Sequence, residues 1–253
     1  MIQFQLDETN AEFFQYGLDN DDKWDSLCNK TFLVTGAGSG YGKAIATALE
    51  ASGATVYSLG RTLSKLTIGI PLECDMTNKN QLQSTVEQLP NLDGVISCAG
   101  IGAGDSVLSE IDDNRWDDMF NIHVKAQWNL FQLTKDKMND MRYIFFTSGM
   151  AGKIQHEYGL YSVVKASLNA LVINLANEAS FDNQDKIVSI NGVNPGVAKT
   201  QMRPESNISP FGICSLILNL LTTEYNIPNG KFFKKEGFSY NFLSAEEYKK
   251  ELI

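Results

Sequence analysis

One stretch constrains this chain more than any other. The apolar run at residues 31–35 passes directly into Thr35-Gly36-Ala37-Gly38-Ser39-Gly40-Tyr41-Gly42, and residues 42–52 then place apolar side chains at helical spacing. A buried strand that turns at once into a helix through spaced glycines is the opening of a β-α-β unit. Gly36 permits the tight turn, Gly40 lets backbone approach a pyrophosphate, and Gly42 lets the helix lie close to the strand. The N–H groups and partial positive charge of the helix N-terminus then favour phosphate. The alternative is a glycine-rich turn without a ligand. Its position between strand and helix argues for the phosphate loop.

The rest of the chain continues the alternation. Further strands are expected at 54–59, 70–74, 93–98, 142–148, 186–193 and 231–235, and further helices at 78–88, 114–138 and 157–179. Strands that alternate with helices imply right-handed crossovers and a parallel sheet covered on both faces. The expected fold is α/β, a doubly wound, Rossmann-like parallel sheet of about seven strands with helices on both faces, in a single domain. Residues 26–253 form that dinucleotide-binding domain, and residues 1–25 stand apart as an acidic N-terminal extension. Its aromatics Phe4, Phe13, Phe14, Tyr16 and Trp24 suggest that it folds onto the body or onto a neighbouring subunit.

Charge and composition narrow the partners. A net charge of −9 over 253 residues repels phosphate backbones and anionic lipid, so neither nucleic acid nor membrane is an expected partner. No continuous apolar run reaches the roughly 18 residues of a membrane span, and residues 211–221 read as a core or lid helix. The N-terminus lacks a basic and apolar leader pattern, and a cytoplasmic location is expected. Cys28, Cys74, Cys98 and Cys214 form no C-x-x-C pair, and with only His123 and His156 no zinc spacing arises. They read as reduced structural thiols, and no metal is expected.

The end of the second strand bears on the cofactor. An acidic residue there would hold a ribose 2′-hydroxyl, but the run is Ser58-Leu59-Gly60-Arg61. Arg61 can instead fork onto a 2′-phosphate, so NADP(H) is favoured over NAD(H), against a solvated surface arginine. Farther along, Tyr161 and Lys165 lie one helical turn apart in Tyr-Ser-Val-Val-Lys. An ammonium beside a phenol favours the phenolate and lowers a pKa that is otherwise near ~10. Such a phenol can give a proton to a carbonyl or take one from an alcohol.

With those residues in place, the chain resembles the short-chain dehydrogenase/reductase family. The resemblance is carried by T-G-A-G-S-G-Y-G at 35–42, S-C-A-G at 97–100, Y-S-V-V-K at 161–165 and N-P-G-V-A-K-T at 194–200, and covers about residues 26–240. It implies that Tyr161 is the general acid/base and that Lys165 binds the nicotinamide ribose. It also implies that Gly36, Gly38, Ser39, Gly40, Tyr41 and Gly42 hold the dinucleotide. Asp75 and Met76 would sit at the adenine edge, and Cys98, Ala99 and Gly100 would line the cofactor. Pro195, Gly196 and Val197, with Thr200, would hold the nicotinamide amide. A homodimer or homotetramer follows from the same resemblance, as does a small-molecule carbonyl or alcohol substrate.

Three departures stand out. Ser97-Cys98 replaces the family's paired asparagines, though Ser97 can still bond across the sheet. Counting seven residues from Trp116 reaches His123 where the family carries an asparagine, with Asn121 two positions earlier. An imidazole there can hold a water or relay a proton, or simply pack as a structural histidine. For the hydroxyl that meets the substrate oxygen, Ser148 lies 13 residues before Tyr161 and is preferred, although an alternative alignment puts Gly149 there. Substrate contacts are open among His156, Glu157, Tyr158 and Arg203, the last meeting an anion or, by preference, only solvent. Two other functions stay in view: a nucleotide-binding sensor or scaffold without turnover, and a sugar-nucleotide epimerase or dehydratase.

Overall fold

The structure, a computed structural model, describes residues 22–102, 107–152, 158–222, 229–236 and 239–243. The N-terminal extension up to residue 21, and His156 and Glu157, lie outside the described residues.

Strand β1 (Thr31–Thr35) runs into α1 (Gly40–Ala51), as the glycine pattern requires. There follow β2 (Thr55–Gly60), β3 (Ile70–Glu73), α2 (Lys79–Glu87) and β4 (Gly94–Ser97). The second half holds α3 (Asp113–Phe120), α4 (Ala126–Thr134), β5 (Met141–Phe146), α5 (Gly159–Asp182) and β6 (Val188–Asn194). It ends in α6 (Cys214–Thr222), β7 (Phe232–Glu236) and β8 (Ser239–Leu243). Spatial order in the sheet is β3-β2-β1-β4-β5-β6-β7-β8. Strands β1 to β7 pair in parallel, and β8 returns antiparallel along β7. The doubly wound parallel sheet is as expected; the eighth, antiparallel strand is an addition that the charged run before it concealed.

The strands are apolar on both faces because both faces are covered. Phe32, Val34, Ile96, Ile144, Phe146 and Val193 meet α1 and α6 on one side. Their alternates Leu33, Val95, Tyr143, Phe145 and Ile190 meet α2, α4 and α5 on the other. Helix α5 is long and apolar enough, by length and composition, to cross a membrane. Here its stripe Leu168, Val172, Leu175, Ala176 and Ala179 joins that second core layer.

The expected uninterrupted helix over 114–138 is corrected. It breaks between α3 and α4 at a π turn, Asn121–Lys125, and ends in a 3-10 turn, Lys135–Lys137. A π turn inserts one residue into the helix and re-aims the side chains that follow, which amphipathic spacing alone does not signal.

Ahead of β1, the 3-10 turn Asp22–Leu27 packs Trp24 and Leu27 into the first core layer. The indole Nε1–H of Trp24 donates to Asn219 Oδ1 at 3.0 Å, tying the turn to α6. Trp24→Ala is expected to destabilise the protein by about 3–5 kcal/mol in urea unfolding, because a large buried side chain leaves a cavity. A loss below about 1 kcal/mol would show that the turn is not part of the cooperative fold.

Candidate active site

The cleft lies where the order of connections reverses, between the carboxyl ends of β1 and β4. Gly36 and Gly40 both adopt positive φ, 66° and 53°, a region that side chains oppose. A Cβ on Gly36 would lie 3.0 Å from the Cα of Ala99, and one on Gly42 would lie 2.4 Å from the Gly36 carbonyl oxygen. The loop is therefore pressed against both the β4 turn and its own helix. Ser39 precedes α1 with extended backbone and makes no side-chain cap. Narrow glycine turns, a helix N-terminus and an uncapped hydroxyl fit the pyrophosphate of a dinucleotide.

Around that loop the expected residues converge. Arg61 is exposed just past β2, and Lys65, one 3-10 turn later, brings its Cβ within 3.1 Å of the Cβ position of Gly38. Asp75 is half-buried and its Oδ1 accepts from Thr77 N (2.9 Å) and Oγ1 (2.8 Å), shaping the turn before α2. Met76 is a partial correction: its side chain is buried in the second core layer, so only its backbone can border the cleft. Thr200 reaches the phosphate loop, with its Cγ2 3.0 Å from the Cβ position of Gly40. Val197 is largely exposed, while Gly196 has φ 73° and open space around its Cα.

Two connections went unread in the sequence. The Tyr41 hydroxyl is within reach of the carbonyls of Pro195 (3.3 Å) and Gly196 (3.2 Å), and its ring lies 5.7 Å from that of Phe146. The phosphate loop is thus strapped to the loop after β6. Gln127 is buried on α4, accepts from the Ser97 hydroxyl, and donates to the carbonyls of Ala99 (3.2 Å) and Ile122 (3.1 Å). Ser97 Oγ also meets Thr35 Oγ1 at 3.3 Å, and Ala99 N donates to Thr35 Oγ1 at 3.2 Å. That network gives the β4 turn the rigidity that Cys98 does not supply. A lone amide four residues past His123, on an otherwise buried helix face, was the signal that could have revealed it. Cys98 packs against the first core layer, and burial pushes its thiol well up.

The histidine of the π turn is buried at 2% exposure. Its Nε2 lies 2.9 Å from the Ile101 carbonyl oxygen and 3.3 Å from the Ile101 amide, while Nδ1 is buried without a hydrogen-bond partner among the described residues. A side chain on Gly100 would collide with this ring, 2.6 Å from Cε1. The imidazole meets the Tyr161 ring edge-on, centroids 5.6 Å apart. Burial, and next the charge of Lys165, hold His123 far below the usual imidazole pKa, so it is neutral.

The Ser148 hydroxyl is near enough to the Tyr161 phenol to oppose the effect of burial on it, and Ser148 Oγ accepts from Met150 N at 3.1 Å. Gly149 instead abuts Asn194, whose Nδ2 lies 2.9 Å from its Cβ position.

The lysine departs from expectation. Burial raises the Tyr161 phenol, and the opposing influences are the Ser148 hydroxyl and the Arg203 charge, not Lys165. Lys165 is 5% exposed, donates to the Phe146 carbonyl at 2.8 Å, and lies 5.6 Å from the Tyr161 ring centroid. Desolvation brings its own pKa down to about 7, so at neutral pH much of its charge is lost. The expected lowering of the phenol is therefore absent from this arrangement.

Arg203 is solvated, as preferred, with its side chain 43% exposed, and its guanidinium also donates to the Tyr158 hydroxyl and pairs with Glu205 at 3.5 Å.

Comparison with known proteins agrees with this geometry. Residues 30–209 match the family model described as short chain dehydrogenase. The 3-oxoacyl-acyl-carrier-protein reductase of Rickettsia prowazekii is 30% identical over 194 residues, 72% of this chain and 78% of that protein. A short chain dehydrogenase from Salmonella enterica serovar Typhi superposes with a TM-score of 0.76 at 26% identity, covering 85% of this chain and 98% of that one. Another, from Escherichia coli CFT073 and solved in complex with NADPH, gives 0.74 at 25% identity, covering 83% and 98%.

The buried lysine makes stability depend on pH. Between pH 7 and about 9 the unfolded chain keeps this proton while the folded chain has lost it, so stability without ligand should rise with pH. Lys165→Met is expected to flatten that rise in urea unfolding followed across this range. An identical slope in the variant would show that the ammonium is not desolvated.

Proposed function

The chain belongs to the short-chain dehydrogenase family and is an NAD(P)-dependent oxidoreductase, and from that premise we propose that it interconverts a carbonyl and an alcohol on a small molecule with NADP(H), using Tyr161 as general acid/base. The observation that carries this is the meeting of Tyr161 with Ser148 and His123 beside the glycine loop, with Lys165 one turn along α5. When bound, the dinucleotide supplies or accepts the hydride at the carbonyl carbon.

The chain's own residues handle the proton and the orientation. Gly36, Gly38, Ser39, Gly40, Tyr41 and Gly42 would hold the pyrophosphate, and Cys98, Ala99 and Gly100 would line the cleft beside it. Asp75 and the Met76 backbone would border the adenine end. Pro195, Gly196, Val197 and Thr200, braced by Tyr41, would hold the nicotinamide end. Ser148 donates to the substrate oxygen, and Tyr161 gives that oxygen its proton in reduction or removes it in oxidation. Charging Lys165 favours the phenolate left behind. The neutral His123, with Nδ1 free to accept, holds a water or passes a proton at the inner end of the site.

Arg61 and Lys65 support NADP(H): two cations flank the end of β2, in a chain that is otherwise acidic. The Escherichia coli relative in complex with NADPH points the same way. The name of the Rickettsia relative supports carbonyl reduction as the reaction type. Residues 26–253 act as one catalytic domain in this reading. A cytoplasmic location accords with the four free thiols Cys28, Cys74, Cys98 and Cys214. A homo-oligomer is part of the same reading, supported by family membership.

Two measurements test it. Tyr161→Phe should lower carbonyl reduction by about 10²-fold or more while leaving NADPH binding intact. Full binding without reduction of any carbonyl by the natural chain would favour a nucleotide-binding sensor instead. Arg61→Ala should weaken NADPH binding about tenfold relative to NADH, the loss of one charge-assisted fork. Unchanged discrimination by fluorescence titration would remove Arg61 from the 2′-phosphate site.

A further inference from the structure

The loop after β6 crosses the mouth of the cleft. At Thr200 it lies against Gly40, and there it closes a tight turn in which Thr200 and Arg203 bond backbone to backbone (3.4 and 3.1 Å). At Met202 it reaches the other rim, with Cγ 3.8 Å from the Cβ position of Gly102. Arg203 therefore stands at the entrance, between the phosphate loop and the chain that leads away from β4.

Its side chain is aimed rather than loose. The guanidinium donates to the Tyr158 hydroxyl, and its Cζ lies 5.5 Å from the Tyr158 ring centroid. Tyr158 precedes α5 by one position and Tyr161 by three, so the two tyrosines sit about one helical turn apart. The only ion-pair partner of Arg203 among the described residues is Glu205, at 3.5 Å, with side chains 43% and 65% exposed. Such a solvated pair contributes little and exchanges readily for a better ligand. Tyr158 takes one edge of the fork, and the group already paired with the other edge, Glu205, is itself a carboxylate, so a substrate carboxylate can take its place. Arg115, whose guanidinium donates to the Gly102 carbonyl, adds positive charge on the opposite rim.

We propose that the substrates are oxo acids, whose carboxylate displaces Glu205 and docks on the guanidinium of Arg203 while the ketone meets Tyr161. This rests on the carbonyl chemistry proposed above and adds the substrate class. The carboxylate makes no covalent change; it fixes distance and direction between the entrance and the phenol.

The test uses the full chain with NADPH and a series of oxohexanoates differing in ketone position, each beside its methyl ester. For the best-placed ketone, the acid should exceed its ester in kcat/KM by about tenfold or more. Arg203→Met should cancel that preference by raising KM for the acid, and Glu205→Gln should lower it. Equal kcat/KM for acid and ester throughout the series, or a preference that survives Arg203→Met, would overturn the proposal. Calorimetric titration of the same acids into NADP⁺-saturated protein decides it independently of turnover. Binding that Arg203→Met abolishes supports the site even if no ketone is reduced, and in that case only the catalytic reading fails. No binding to the natural chain, or equal binding to the variant, overturns it.

Discussion

No methyl group fits between Gly42 and the carbonyl oxygen of Gly36, where an ideal Cβ would sit 2.4 Å away. This contact sets how closely α1 lies on β1, and much else hangs from it. The helix N-terminus then faces the β4 turn, where a side chain on Gly36 would press against the backbone of Ala99. Any side chain at residue 42 would move backbone, not a flexible tip. Displaced backbone would in turn shift the phosphate loop against Thr200 and the strap that Tyr41 makes to Pro195 and Gly196.

Below that contact the site is governed by desolvation. Tyr161, Lys165 and His123 are ionisable groups packed within one pocket, and in each the neutral form is favoured by burial. Lys165 meets a carbonyl oxygen, His123 meets Ile101, and Ser148 meets the phenol. Each charge is thus held back, and the balance is poised for a bound anion or polar group to alter it. At the entrance solvent screens the charges, and there Arg203 keeps its full positive charge with a weak, replaceable partner.

Much of this was legible in the order of residues. Local rules were enough for β1 and α1, whose limits differ from expectation by at most two residues, because a glycine turn and an apolar run are both short-range signals. The Tyr161–Lys165 pair needed only helical spacing. Failures occurred where a distant partner decides. The π turn around His123 leaves no mark in amphipathic spacing, since it depends on how the ring packs against Gly100 and Tyr161. Gln127 looked like an ordinary helical amide until Ser97 at the end of β4 and Ala99 in the turn after it, 28 or more residues away, came to meet it.

Sequence by itself therefore determined the layered α/β fold, the position of the phosphate loop and the identity of the phenol–ammonium pair. These rest on periodicity and on backbone sterics that neighbouring residues dictate. Tertiary structure alone decided that Lys165 turns toward Phe146, that His123 is neutral, and that Arg203 is aimed by Tyr158. Those outcomes depend on burial and on partners far along the chain. Desolvation is a property of the whole packed environment, and no local run of residues encodes it.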